Sequence, residues 1–228
     1  MRIVDGKPRC WTCLSTVFLG VSFFATPVLA RSPQAHPAIT VQVYNSALVA
    51  PDLLADAEAD VTRIFRTAGI TVFWLNCPPS GSEAAANAIC IEPSPLNRLS
   101  IRINFEMPGD LPETSFGVAF TDTGIYATIY YPRVQQYAKR GIVTQPQIMS
   151  HAISHEIGHL LLGPAAHARV GIMRGTWTSA DLHSIAMGAL LFSPRESKVM
   201  REAVIRGVRP GEHSGSPASE GTCLDGCW

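Results

Sequence analysis

The chain has 228 residues, 46% of them hydrophobic and 16% charged, with 18 basic and 18 acidic side chains. That length fits one domain with a substantial core. A formal charge of zero leaves no basic surplus, so neither nucleic acid nor an anionic membrane is an expected partner.

Residues 1–30 read as an export signal outside the fold. Lys7 and Arg9 supply a positive start, residues 14–25 carry no charge, and Val28 and Ala30 put small residues where a signal peptidase reads them. The uncharged run is shorter than the roughly 20 residues of a spanning helix. Cleavage after Ala30 is therefore expected, with a secreted or periplasmic product and no stable membrane insertion afterwards. Removing this segment takes away Arg2, Lys7, Arg9 and Asp5 and leaves a formal charge of about −2. The CxxC spacing of Cys10 and Cys13 is discounted because it lies inside the removed part. Cys77, Cys90, Cys223 and Cys227 remain, and an even number in an exported chain reads as two disulfides. The nearest pairs are Cys77–Cys90 and Cys223–Cys227. Other connectivities are formally possible, and free thiols are the alternative.

Alternating apolar and polar residues predict a strand over 39–44. Pro51 opens a helix whose Leu54, Ala57, Val61, Ile64 and Phe65 recur at helical spacing until Gly69 ends it. A second strand is predicted over 70–75, a Pro-, Ser- and Ala-rich loop over 78–97, and a third strand over 99–105. Two more strands, 116–120 and 125–131, flank the turn around Asp122 and Gly124. Thr144 with Gln147 then fits a capping box, with Pro146 in the first turn of a long helix. Along that helix Met149, Ile153, Ile157 and Leu160 form an apolar stripe, with His151, His155 and His159 on the opposite side. Gly163 and Pro164 stop it, glycine taking the left-handed conformation past the end. Thr178 with Asp181, and Ser193-Pro194 with Glu196, mark two further capped helices. Residues 31–210 make up the expected catalytic domain, and 211–228 a loose tail with a small Cys223–Cys227 loop.

The chemistry concentrates in the run HEIGHLLLGPAAHARVGIM, residues 155–173. Side chains four apart on a helix have Cβ atoms about 5–6 Å apart, so His155 and His159 can meet one Zn2+ at about 2.0–2.1 Å. Glu156 projects beside the metal, where it can deprotonate a zinc-activated water and pass the proton to a leaving amine. HExxH alone arises by chance in helices. Here the helix then breaks at Gly163, and the returning chain can bring His167 to the same ion as a third ligand. Gly171-Ile172-Met173 follows, placed to turn beneath the site. Three histidines leave the fourth coordination position open, as catalysis requires. His151 is expected beside the site or partly exposed, because three histidines in one straight row span about 12 Å and cannot reach one ion. Asp181 and Glu196 stand where a carboxylate third ligand could come from but are better explained as helix caps. His183 reads as a helix-surface residue, and Tyr126, Tyr130, Tyr131 and Tyr137 either line a cleft or, by default, pack the core.

HExxH, a helix-ending glycine, a third histidine and a following methionine turn together resemble the metzincin metallopeptidases, such as the astacins, matrixins and reprolysins. The resemblance implies an α/β zincin/metzincin-like single domain: a mixed twisted sheet, an active-site helix and a smaller helical C-terminal part. It further implies His155, His159 and His167 as zinc ligands, Glu156 as general base, Met173 as the floor of the turn, and an edge strand near 115–120 that binds extended substrate. The chain departs from the family spacing HExxHxxGxxH. Its glycine comes one position late, and its third histidine stands eight residues after His159 instead of six. Residues 174–177 also lack the tyrosine that some members use. The expected function is an exported zinc metallopeptidase acting on a peptide or protein substrate. The alternative is a secreted zinc-binding protein of the same fold without turnover.

Overall fold

The computed structural model of the chain describes residues 37–78, Cys90, 97–122 and 124–208. The expected export segment 1–30, the tail 211–228 with Cys223 and Cys227, and most of the loop 78–97 lie outside them. The elements run β1 (Ala38–Asn45), α1 (Pro51–Thr67), β2 (Thr71–Cys77), β3 (Arg98–Asn104), β4 (Gly117–Phe120), β5 (Tyr126–Tyr130), α2 (Tyr131–Ala138), α3 (Gln145–Leu162), α4 (Ser179–Ala186) and α5 (Pro194–Arg206).

Period-two alternation puts Ile39, Val41 and Val43 of β1, Leu99, Ile101 and Ile103 of β3, and Ala127 and Ile129 of β5 on one buried face. Burying one such aliphatic side chain is worth about 1.5–3 kcal/mol relative to leaving it exposed. The strand order is β2-β1-β3-β5-β4. The first four strands are mutually parallel, and β4 runs antiparallel to β5 at the edge. Parallel neighbours need a crossover, and α1 supplies it between β1 and β2. Pro51 opens α1, and Asp52 in its first turn and Arg66 in its last suit the helix dipole. Its buried residues Leu54, Ala57, Val61, Ile64 and Phe65 are those the periodicity predicts, and the helix packs against α3.

A disulfide joins Cys77 at the end of β2 to Cys90, with Cα atoms 6.0 Å apart. Cys90 O accepts hydrogen bonds from Tyr44 Oη (3.2 Å) and Gln42 Nε2 (3.4 Å) on β1, so this point of the loop is fixed to the sheet. All three expected capping boxes form: Thr144 with Gln147, Thr178 with Asp181 and Ser193 with Glu196.

Two expectations are corrected. The strand predicted to reach Tyr131 stops at Tyr130, and Tyr131 begins α2, a helix absent from the sequence reading. Pro132 sits in its first turn, where its missing N–H costs nothing, and turns the chain into a helix where strand-favouring tyrosines suggested continuation. Nor does α3 have a polar side. It lies between α1, β4, β5, α2 and α5 and is buried almost all round, His151 included. A helix in the centre of a domain is enclosed by its neighbours, so an apolar stripe does not mark its only buried face.

Candidate metal centre

The middle and end of α3 carry His155, Glu156 and His159. The helix ends where Gly163 N–H bonds His159 O at 2.8 Å. Gly163 takes φ 97° and ψ 175°, an extended conformation open essentially only to glycine, where the left-handed helical one was expected. The chain reverses and returns His167 to the end of α3. A short closed loop follows: Ala168 N–H donates to Met173 O at 2.8 Å, and Ala168 bridges Arg174. Ile172 N–H donates to Leu191 O at 3.2 Å, which ties the loop to the segment after α4.

The three imidazoles converge. Nε2 of His159 stands 3.1 Å from Nε2 of His155 and 3.1 Å from Nε2 of His167, and one ligand atom from each lies within 4.8 Å of the others. On a tetrahedral ion with bonds of about 2.0–2.1 Å, two ligands stand about 3.3 Å apart. The other ring nitrogens decide the tautomers. His155 Nδ1 is 2.8 Å from Ile172 O, and His159 Nδ1 is 3.4 Å from Gly163 O. A carbonyl only accepts, so each Nδ1 carries the proton and each Nε2 presents a lone pair. Lone pairs facing one another at 3.1 Å repel unless a cation stands between them. The residues fit a zinc ion, and the histidines are electrostatically ready for one. Burial, with the neighbouring histidine charges, pushes His155 down to about 3 and His159 down to about 4 against ordinary imidazole, opposed by their carbonyl partners. Burial also lowers His167.

Glu156 turns toward β4. Burial pushes its carboxyl up to about 8, and a hydrogen bond from the Ala119 backbone opposes the shift. Space for it comes from Gly117: a Cβ there would stand 2.5 Å from Thr128 O, 2.9 Å from Glu156 Cγ and 3.0 Å from Glu156 Oε1. A cleft of about 360 Å³ opens over these groups. Leu111, Pro112 and residues 114–119 line it together with His167 and residues 174–177.

Met173 is fully buried beneath α3, its sulfur against Gly158. A methyl group at Gly158 would collide with that sulfur and also stand 3.2 Å from Phe192. On an exposed helix Gly→Ala gains about 1 kcal/mol. Here overpacking reverses the sign, and Gly158→Ala is expected to cost about 1–3 kcal/mol, read as a lower Tm in thermal unfolding. A raised Tm would mean the collision is relieved at no cost.

The structure thus brings together His155, Glu156, His159, His167 and Met173. It leaves His151 outside: fully buried, not partly exposed as allowed above, with its two ring nitrogens on Gln147 O (2.8 Å) and Leu190 O (3.2 Å). Asp181 and Glu196 are helix caps, and His183 is exposed. Two contributors are absent from the sequence reading. Trp177 Nε1 donates to Ile172 O at 3.2 Å, the same carbonyl that holds His155, and its ring packs on Phe116. Gly158 had a sequence signal, because a glycine inside a helix usually has a packing reason.

No known protein-family model matches the sequence, and no curated protein does. Among solved structures, archaemetzincin from Methanopyrus kandleri is similar at 14% identity and TM-score 0.45, over 78% of this chain and 100% of its own. A zinc-dependent peptidase from Methanocorpusculum labreanum is similar at 14% identity and TM-score 0.46, over 70% of this chain and 99% of its own. Metalloproteinase-II from Bacteroides fragilis is similar at 15% identity and TM-score 0.43, over 74% and 53% respectively. At these identities and scores the likeness says nothing of this chain's chemistry, which rests on its own residues.

Proposed function

We propose that the chain is an exported zinc-dependent peptidase of metzincin-like type, with His155, His159 and His167 as metal ligands, Glu156 as general base and Met173 as the floor beneath them. The observation that carries this reading is the convergence of three imidazole Nε2 atoms, two of them set as lone pairs by carbonyls at Nδ1, beside a buried carboxyl in an open cleft. Bound zinc would supply Lewis acidity toward a scissile carbonyl and toward the attacking water.

The protein's own groups do the rest. Glu156 accepts a proton from the attacking water as its oxygen bonds to the scissile carbonyl carbon, and then delivers that proton to the amide nitrogen, which departs as an amine when the C–N bond breaks. Its burial raises its proton affinity, while a divalent cation beside it favours the ionised form, and the two effects bring it toward the working range of a general base. Ile172 O and Gly163 O keep the imidazoles in the ligating tautomer. β4 has the outer place in the sheet, and Gly117, Val118 and Ala119 line the cleft. An extended peptide can pair with that edge through main-chain hydrogen bonds, which sets its carbonyl over Glu156.

The test is incubation with a peptide library and identification of products by mass spectrometry. Internal cleavage is expected, lost on chelation with EDTA and restored by one equivalent of zinc. Cleavage that EDTA leaves intact would overturn the proposal. Zinc binding with no cleavage of any peptide would leave a binding protein of the same fold.

A further inference from the structure

Among the described residues that line the cleft, two carry formal charge, Glu156 and Arg174. Glu156 is engaged with the reacting water in the reading above. Arg174 is then the fixed cation that an incoming ligand meets.

Its placement differs from that of a loose surface arginine. It follows the buried Met173 directly, its backbone bridges Ala168, and its N–H donates to Gly171 O at 3.2 Å. At the side chain, Nη1 donates to Asp181 Oδ2 at 3.2 Å. The same oxygen takes Thr178 N–H at 2.8 Å and Thr178 Oγ1–H at 2.6 Å. Burial alone would raise the Asp181 carboxyl, but the Thr178 hydrogen bonds and the Arg174 charge outweigh it and hold it below the usual range. Asp181 therefore serves as a helix cap as well as a counter-ion, and it anchors one corner of the guanidinium. The Asp181 side chain is 12% exposed and that of Arg174 36%, and of the two Arg174 lines the cleft. A guanidinium presents five N–H donors in a planar fork suited to carboxylates. Among the described residues one hydrogen bond, to Asp181, uses that fork.

On the peptidase reading, we propose that Arg174 is a specificity-determining residue that selects ligands carrying a carboxylate where residues 174–177 line the cleft, supplied by an Asp or Glu side chain or by a free C-terminus. The Arg174–Asp181 pair is formally neutral, so its long-range field is weak. Selection comes from short, directed N–H to carboxylate bonds, formed in a cleft that the apolar Leu111, Pro112 and Trp177 also line. A carboxamide in the same place offers a neutral acceptor and forms a weaker bond.

The test is calorimetry with zinc-loaded Glu156→Gln protein, which holds substrate without turnover. The probes are one apolar peptide with Glu or Gln scanned along it, each with a free or an amidated C-terminus. At least one carboxylate form should bind about tenfold more tightly than its carboxamide partner. A Glu-against-Gln difference assigns the side chain as the source, and a free-against-amidated difference assigns the terminus. Adding Arg174→Met should bring that ratio close to one. Arg174→Lys keeps a cation beside Asp181 but loses the fork, so it should reduce the ratio even if the methionine variant does not fold. Equal binding of all forms, or a preference that survives both substitutions, overturns the inference. Cleavage by the wild type without carboxylate preference would remove the inference and leave the peptidase. A carboxylate preference with no cleavage by the wild type would remove the peptidase and leave the recognition.

Discussion

Replacing Glu156 by glutamine should lower peptide hydrolysis about 10²–10⁴-fold while the protein keeps its zinc. The substitution removes one ability. Glutamine occupies the same space beside Gly117 and can still accept the Ala119 N–H, but it cannot take up and release a proton at neutral pH. The proposed mechanism assigns that ability to Glu156, the one carboxyl among the described residues that line the cleft with the three imidazoles. Its burial, which pushes it up to about 8, penalises the charged form. Glutamine removes that penalty, so the metal-free variant is expected to unfold at a temperature no lower than the metal-free wild type. The measurements are kcat on a cleaved peptide, zinc per chain and Tm. A loss of activity below tenfold would take the general-base role from Glu156. Loss of zinc along with activity would make Glu156 a ligand.

His167→Ala should weaken zinc binding by at least about 100-fold, since losing even an outer partner of a ligand commonly costs 10–100-fold. The two-residue lengthening of the segment before His167 makes this the informative ligand to test. The structure accommodates the extra length at Gly163 and the turn behind it, and still sets His167 Nε2 3.1 Å from His159 Nε2. His167 is exposed, unlike the buried His159. Its removal therefore leaves the core intact and isolates the metal effect from stability. Competition against a chromophoric chelator measures the affinity. An unchanged value would show that zinc is held by His155 and His159 with some other group, and the metzincin-like assignment would fail.

How much of this could be read from the chain follows the range of the forces involved. Capping boxes, strand alternation and the buried face of α1 are set within a few residues, and they appear in the sequence at the positions the structure gives them. The histidine constellation is equally local at His155 and His159, because helical geometry alone puts them on one side. What escaped is set at long range or by competition. β3 lies on the far side of β1 from β2 because of tertiary pairing that no local period encodes. α2 is short and rich in residues that favour strands, and one proline decides it. The enclosure of α3 depends on elements drawn from α1 through to α5. The contacts of Gly158 with Met173, Gly117 with Glu156, and Trp177 with Ile172 join residues that the fold alone makes neighbours.

The central claim is that three histidines hold one catalytic zinc with a coordination position left open. X-ray absorption at the zinc edge of the purified protein tests it most directly. The account predicts one zinc per chain with three imidazole nitrogens and one further light atom at about 2.0 Å. A protein that cannot be loaded with zinc, or a zinc surrounded by sulfur or by fewer than three imidazoles, would contradict it.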